Sequence, residues 1–160
     1  MFFTRFMSPV GEVIVQADSI GITGVWFEQH TTCPKDLGIE QADQPWLTLA
    51  CQQLQQYFTG QRQSFDVPLN PAGTEFQQGV WRALQTIPYG RCCSYQDIAY
   101  QIGKPNASRA VGAANGKNPI SILVPCHRVI GASGKLTGYA GGLERKRWLL
   151  ALEREARTHE

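Results

Sequence analysis

Ser94-Tyr95-Gln96-Asp97-Ile98-Ala99-Tyr100-Gln101-Ile102-Gly103-Lys104-Pro105-Asn106-Ala107-Ser108-Arg109-Ala110-Val111-Gly112-Ala113-Ala114-Asn115-Gly116 reads as two short helices joined by a tight turn. Ser94 followed three residues later by Asp97 is a helix-start signature, and Gly103 ends a helix of barely two turns. Asn106 is placed to cap the second helix, which stops at Asn115-Gly116. Such a pair has the outline of a helix-turn-helix, although many small domains use the same pair only for packing. The second helix is built of tiny residues except Arg109, so its backbone can approach a flat or grooved partner while one long cation protrudes. Equally, its alanines could pack inside the domain. Gly112 costs about 1 kcal/mol of helix propensity relative to Ala, which calls for a compensating reason such as close approach.

Upstream, Thr74-Glu75-Phe76-Gln77 fits a capping box, and Phe76, Val80, Trp81 and Leu84 form the apolar stripe of a helix that Pro88 ends. Downstream, Asn118-Pro119 makes a turn and Ile120 to Val124 is a short apolar run that should be buried. Pro125 closes it, so Cys126-His127-Arg128 sits where a buried segment emerges. A last helix carries Arg147, Glu153 and Arg154.

The first half has a different character. Gly11 to Ala17 and Ile22 to Phe27 alternate, are rich in Val and Ile, and flank the turn-prone Asp18-Ser19-Ile20-Gly21, which predicts an antiparallel hairpin joined by a strand near Phe3 to Phe6. Gln44 to Phe58 places Leu47, Cys51, Leu54 and Phe58 at helical spacing and stops at Gly60. Asp66 to Gly73, with Pro68 and Pro71, breaks both periodicities and reads as a linker. The chain therefore divides into a small α+β unit, residues 1–73, and a mainly helical unit, residues 74–160.

Charge follows the same division. The formal net charge is only +2, but residues 1–73 carry three Lys/Arg against seven Asp/Glu, whereas residues 74–160 carry twelve against six. Clustered cations on the second half suit a polyanion such as duplex DNA, which rewards them through counterion release. No run approaches the roughly 18 apolar residues of a membrane span, and the opening MFFTRFMSPVGE is too short and is broken by Arg5 for a signal peptide. A soluble cytoplasmic protein is expected. Five scattered cysteines, with only Cys92 and Cys93 close together, suit reduced thiols.

Cys126 is the candidate for chemistry. An adjacent imidazole and guanidinium are the kind of electropositive surroundings that favour a nucleophilic thiolate. Three other readings compete. Cys126 could be an inert core thiol. With His127 it could ligate zinc, but adjacent residues diverge and no CxxC or HxxxH pair completes a tetrahedral set. It could be a peptidase nucleophile, for which the other histidines, His30 and His159, supply no recognisable partner.

Taken together, Pro125-Cys126-His127-Arg128-Val129, preceded by Asn118-Pro119 and followed by Thr137-Gly138-Tyr139-Ala140-Gly141-Gly142 and Lys146-Arg147-Trp148-Leu149-Leu150, closely resembles the O6-alkylguanine-DNA alkyltransferases. The resemblance runs from Phe76 to about Glu153; the N-terminal half is similar only in size and strand-helix outline. It implies an α/β (α+β) protein with a small N-terminal ribonuclease-H-like domain and a C-terminal winged-helix-like domain that binds DNA in the minor groove. It also implies irreversible, stoichiometric transfer of an alkyl group from O6-alkylguanine, and from O4-alkylthymine, in double-stranded DNA to Cys126, by a monomer with no cofactor or metal.

By the same resemblance, His127 would deprotonate Cys126 through a water and be oriented by Glu153, while Asn118 would hold the turn before the cysteine. Tyr95, Val129, Tyr139 and Ala140 would line the base pocket, although Ala140 stands where some relatives carry a serine. Arg109 would replace the extruded base, and Tyr95, Gln96, Ala107, Ser108 and Arg128 would complete the DNA contacts. The metal ligands that some relatives carry in the N-terminal half have no counterpart here. The base must leave the stack before a protein sulfur can reach it.

Overall fold

The computed structural model describes residues 1–30, 32–134 and 136–158. Strands β1 (Phe2–Ser8), β2 (Gly11–Ala17) and β3 (Ile22–Phe27) form an antiparallel meander, and the two-residue β4 (Ile39–Glu40) pairs parallel to β1, giving the order β3-β2-β1-β4. The expected hairpin has the expected limits. Its alternation does not make one face wet, however: every residue of β3 is buried. One face packs Val13, Val15, Val25 and Phe27 into the main core, and the other buries Phe3, Ile14 and Trp26 beneath Cys33 and Leu37.

Helix α1 (Pro45–Phe58) covers the core face with Leu47, Ala50, Leu54 and Tyr57. Gln44 caps it by accepting from the Leu47 amide, and Pro45 takes the first turn, where a missing N–H costs nothing. The segment after α1 does more than link. Ile22 donates to Pro68 O at 2.8 Å and Asn70 donates to Ile22 O at 2.7 Å, so residues 68–70 pair with the outer edge of β3.

Helix α2 (Glu75–Leu84) begins in the expected capping box, with Thr74 and Gln77 reciprocally bonded, but it ends at Leu84, four residues short of Pro88. After β5 (Cys93–Ser94), a second capping box between Ser94 and Asp97 starts α3 (Tyr95–Gln101). The next helix, α4 (Ser108–Gly116), corrects one expectation: its N-cap is Ala107, without a side-chain cap, and Asn106 does not serve. The turn between the helices is held by the backbone, with Lys104 donating to Ala99 O at the end of α3 and Ala107 to Lys104 O, both at 2.9 Å. Trp81 of α2 locks α4 by donating from Nε1 to Ala114 O at 2.9 Å.

A 3-10 turn (Cys126–Arg128), β6 (Val129–Ile130) and α5 (Leu143–Thr158) complete the chain, with β6 parallel to β5. The run Ile120 to Val124 is buried, as expected, and it joins the sheet: Val25 donates to Pro119 O at 2.9 Å and Ser121 donates to Val25 O at 3.1 Å. The edge of β3 is thus closed by two segments from further along the chain. Among the described residues, no helix is long and apolar enough to cross a membrane.

Candidate active site

Two i→i+2 bonds shape the approach to Cys126. Leu123 donates to Ser121 O around Ile122, whose φ is 72°, and Cys126 donates to Val124 O around Pro125, both at 2.8 Å. A β-branched residue at positive φ is strained and persists only where its surroundings hold it. The surroundings here are Asn118, buried, which accepts from the Ile120 amide at 3.0 Å and donates to Ile120 O at 3.3 Å and Val124 O at 2.9 Å. Asn115 of α4 adds a bond from Nδ2 to Cys126 O at 3.4 Å. The resulting tight loop delivers Cys126 to the base of α4.

Cys126 is 4% exposed. Burial pushes its thiol up to about 11, against the pull of the Asn118 side chain and the Lys146 ammonium. This corrects the expectation of an electropositive site that makes a resting thiolate. The cations beside Cys126 in sequence are committed elsewhere, because a 3-10 turn sends successive side chains in different directions. Arg128, 6% exposed, spends its fork on Glu153 Oε1 at 2.8 Å, Glu153 Oε2 at 3.1 Å and Ile87 O at 2.8 Å. It is a buried structural cation, not a side chain presented to DNA.

His127 is wholly buried, and its Nε2 lies 2.6 Å from Glu153 Oε2. A carboxylate can only accept, so Nε2 carries the proton and Nδ1, which has no partner, is left as the basic nitrogen. Burial lowers the imidazole pKa and outweighs the carboxylate's opposite effect. Glu153 collects donors from four directions: His127, Arg128, the Tyr57 hydroxyl at 2.6 Å and the Gly90 amide at 3.2 Å. Burial raises its pKa, but the bonds from His127 and Arg128 prevail and hold it at about 2. It is therefore no surface carboxylate on α5.

Lys146 is the site residue to which sequence reading gave no role. It is wholly buried, with Nζ donating to Val129 O at 2.7 Å and Thr137 O at 3.2 Å. A signal existed in the chain: Lys146, Leu149, Leu150 and Glu153 follow i, i+3, i+4, i+7 spacing and form one buried stripe of α5. The ammonium ties β6 to the loop that carries Tyr139 and Ala140, both half-buried. The Tyr139 ring tilts against His30 of the N-terminal half at 6.4 Å. Val129, three residues after Cys126, is buried, with its carbonyl taken by Lys146.

At the start of α3, Tyr95 hydrogen-bonds through its hydroxyl to Thr137, and its ring lies against Gly112. A Cβ on Gly112 would meet that ring at 3.7 Å, an ordinary contact, so nothing within the protein demands glycine there. The small residues of α4 divide by face: Val111, Ala114 and Asn115 are buried, whereas Arg109, Ala110 and Ala113 are exposed. Ala107 and Ser108 are half-buried at its start, and Gln96 is half-buried with Nε2 donating to Pro105 O at 2.6 Å. His159 lies outside the described residues. Among those residues, no cluster of His, Cys, Asp or Glu could hold a metal ion.

Comparison with known proteins supplies the family. Residues 1–71 match the 6-O-methylguanine DNA methyltransferase, ribonuclease-like domain, and residues 75–155 match the DNA binding domain of the same name. The N-terminal half thus matches by sequence as well, more than its strand-helix outline alone had indicated. A methylated-DNA-protein-cysteine methyltransferase of Methanosarcina acetivorans is 50% identical over 156 residues, covering 96% of this chain and 98% of the relative. One from Mycolicibacterium paratuberculosis is 53% identical over 147 residues, covering 92% and 88%. The crystal structure of Mycobacterium tuberculosis OGT in complex with DNA superposes with a TM-score of 0.91 at 48% identity, covering 98% of this chain and 94% of that one. The expected α/β (α+β) fold class stands, and the chain belongs to the 6-O-methylguanine DNA methyltransferase family.

Proposed function

We propose that this protein repairs O6-alkylguanine, and O4-alkylthymine, in double-stranded DNA by transferring the alkyl group to Cys126, once per molecule. The observation that carries the reading is a buried cysteine beside a histidine whose free Nδ1 is the basic nitrogen and whose other nitrogen is held by a buried, ionised carboxylate. Because the resting thiol is protonated at neutral pH, proton removal accompanies attack: His127 Nδ1 takes the proton through a water, and sulfur bonds to the alkyl carbon as the carbon–O6 bond breaks. The departing guanine anion receives a proton or hydrogen bond from Tyr95. The product is a thioether, which nothing in the site can hydrolyse, so the protein is spent.

In this reading the exposed face of α4, with Ala107, Ser108, Ala110 and Ala113, lies along the minor groove, Gln96 contacts the backbone, and Arg109 fills the gap left by the flipped base. Val129, Tyr139 and Ala140 border the base pocket, and Asn118 maintains the loop. Residues 1–73 and 74–160 are the two domains, and the protein works as a cytoplasmic monomer. Intact-protein mass spectrometry after incubation with duplex DNA containing O6-methylguanine tests the proposal. One added methyl group per chain, mapped to Cys126 and absent from Cys126→Ala, is expected; modification of Cys33, Cys51, Cys92 or Cys93 instead would overturn it.

A further inference from the structure

We infer that Tyr57, from the N-terminal half, is a positioning residue for the alkyl transfer: through the carboxylate of Glu153 it sets how strongly His127 holds a proton. The inference rests on the function proposed above. Tyr57 occupies the last turn of α1 and is wholly buried. Phe58 and Phe65 at 5.7 Å and Tyr89 at 6.2 Å enclose its ring, so the hydroxyl has a fixed direction. It donates to Glu153 Oε2 at 2.6 Å, the same oxygen that faces His127 Nε2 at 2.6 Å and Arg128 Nη2 at 3.1 Å.

Three donors on one carboxylate oxygen share its negative charge, so each weakens what the others receive. Arg128 provides the balancing charge but cannot change protonation state. Tyr57 is the neutral donor, and it arrives from a part of the chain 96 residues away. A phenylalanine would fill the same aromatic pocket without burying a hydroxyl, so packing alone does not account for a phenol there. The other ionisable groups around the pair are Lys146 and Cys92, whose fields reach His127 and Glu153 respectively, and Tyr139, Tyr89 and Cys126. Of the side chains bonded to Oε2, Tyr57 is the one that can be altered without touching His127 or the balancing charge of Arg128.

Removing the hydroxyl makes Oε2 a better acceptor for His127 and stabilises the imidazolium. The test is Tyr57→Phe in the full chain, followed by NMR titration of the His127 imidazole and by the pH dependence of benzyl transfer from free O6-benzylguanine. We expect the His127 midpoint to rise by about half a unit or more, the transfer profile to move in the same direction, and duplex affinity to stay unchanged. A ring-fluorinated tyrosine at position 57, a stronger donor of nearly the same shape, moves the midpoint down. A purely structural role does not produce shifts of opposite sign, so superimposable His127 titrations in the folded variants would overturn the assignment. Wild-type protein that places no methyl group on Cys126 from duplex O6-methylguanine overturns the proposed function instead, and with it this assignment; a reacting wild type with unmoved titrations overturns the role of Tyr57 alone.

Discussion

Asn115, next to last in α4, donates from Nδ2 to the carbonyl oxygen of Cys126 at 3.4 Å. The helix proposed to lie on DNA and the residue proposed to accept the alkyl group therefore touch directly. Asn115→Ala removes one of the two donors to that carbonyl, leaving the Val129 amide, and should lower stability by about 1 kcal/mol. Urea unfolding checks this, and a midpoint equal to wild type would show that the contact contributes nothing.

Arg109 and the exposed alanines separate base extrusion from chemistry. Arg109→Ala should slow repair of duplex O6-methylguanine more than about tenfold beyond any effect on free O6-benzylguanine, because only the duplex demands flipping at a cost of a few kcal/mol. Equal losses on the two substrates would assign Arg109 to the fold.

Gly112 offers the converse experiment. A methyl group there meets Tyr95 only at ordinary contact distance, so Gly112→Ala should raise stability by up to about 1 kcal/mol through helix propensity. Duplex affinity should fall, since the added methyl widens the helix where the minor groove is narrow. Thermal unfolding and a DNA titration read the two effects separately, and a destabilised variant would reveal crowding inside the protein.

The resting thiol should be quiet. With Cys126 buried and its thiol pushed up to about 11, iodoacetamide at neutral pH should label the exposed Cys92 well before Cys126. Peptide mapping over time checks the order. Preferential labelling of Cys126 would mean a standing thiolate and would restore the simpler expectation drawn from its sequence neighbours.

Acid should unfold the protein through the same cluster. Burial keeps His127 and His30 neutral, lowering both and taking His30 to about 4, so their contribution is complete above the ordinary histidine value near 6.5 and is lost as pH falls below it. Glu153, held at about 2, contributes fully above 4.5 and is lost as pH falls toward 2. Stability should therefore decline progressively below about 6.5. Glu153→Gln should flatten the lower limb while costing about 3–5 kcal/mol at neutral pH, because it leaves Arg128 buried and unpaired. Guanidinium unfolding at several pH values measures both.

Local chemistry was readable in the chain and distant pairing was not. Thr74 and Ser94 announce their helices because a capping box is complete within four residues. Asn106 misled because the turn held by Lys104 N to Ala99 O and Ala107 N to Lys104 O places the helix boundary one residue later, at Ala107. Arg128 adjoins Cys126 in sequence yet serves Glu153, which lies 25 residues further on and is brought to it only by the packing of α5. The alternation in β3 was real, but residues 33–37 carry no periodic pattern that foretells their closing over its second face.

The pairing of Pro119 and Ser121 with Val25 orders events in time. A ribosome releases the meander and α1 long before residue 119, so the edge of β3 can stand ready as a template when the cysteine segment appears. Until then the Val25 end of that edge is open and apolar, residues 68–70 closing only its Ile22 end, and an open edge is the condition in which strands recruit partners from other chains. The late-made loop that carries the reactive sulfur is thus also the seal on the early-made sheet, and truncation before Ser121 should yield a fragment that self-associates rather than a smaller soluble fold.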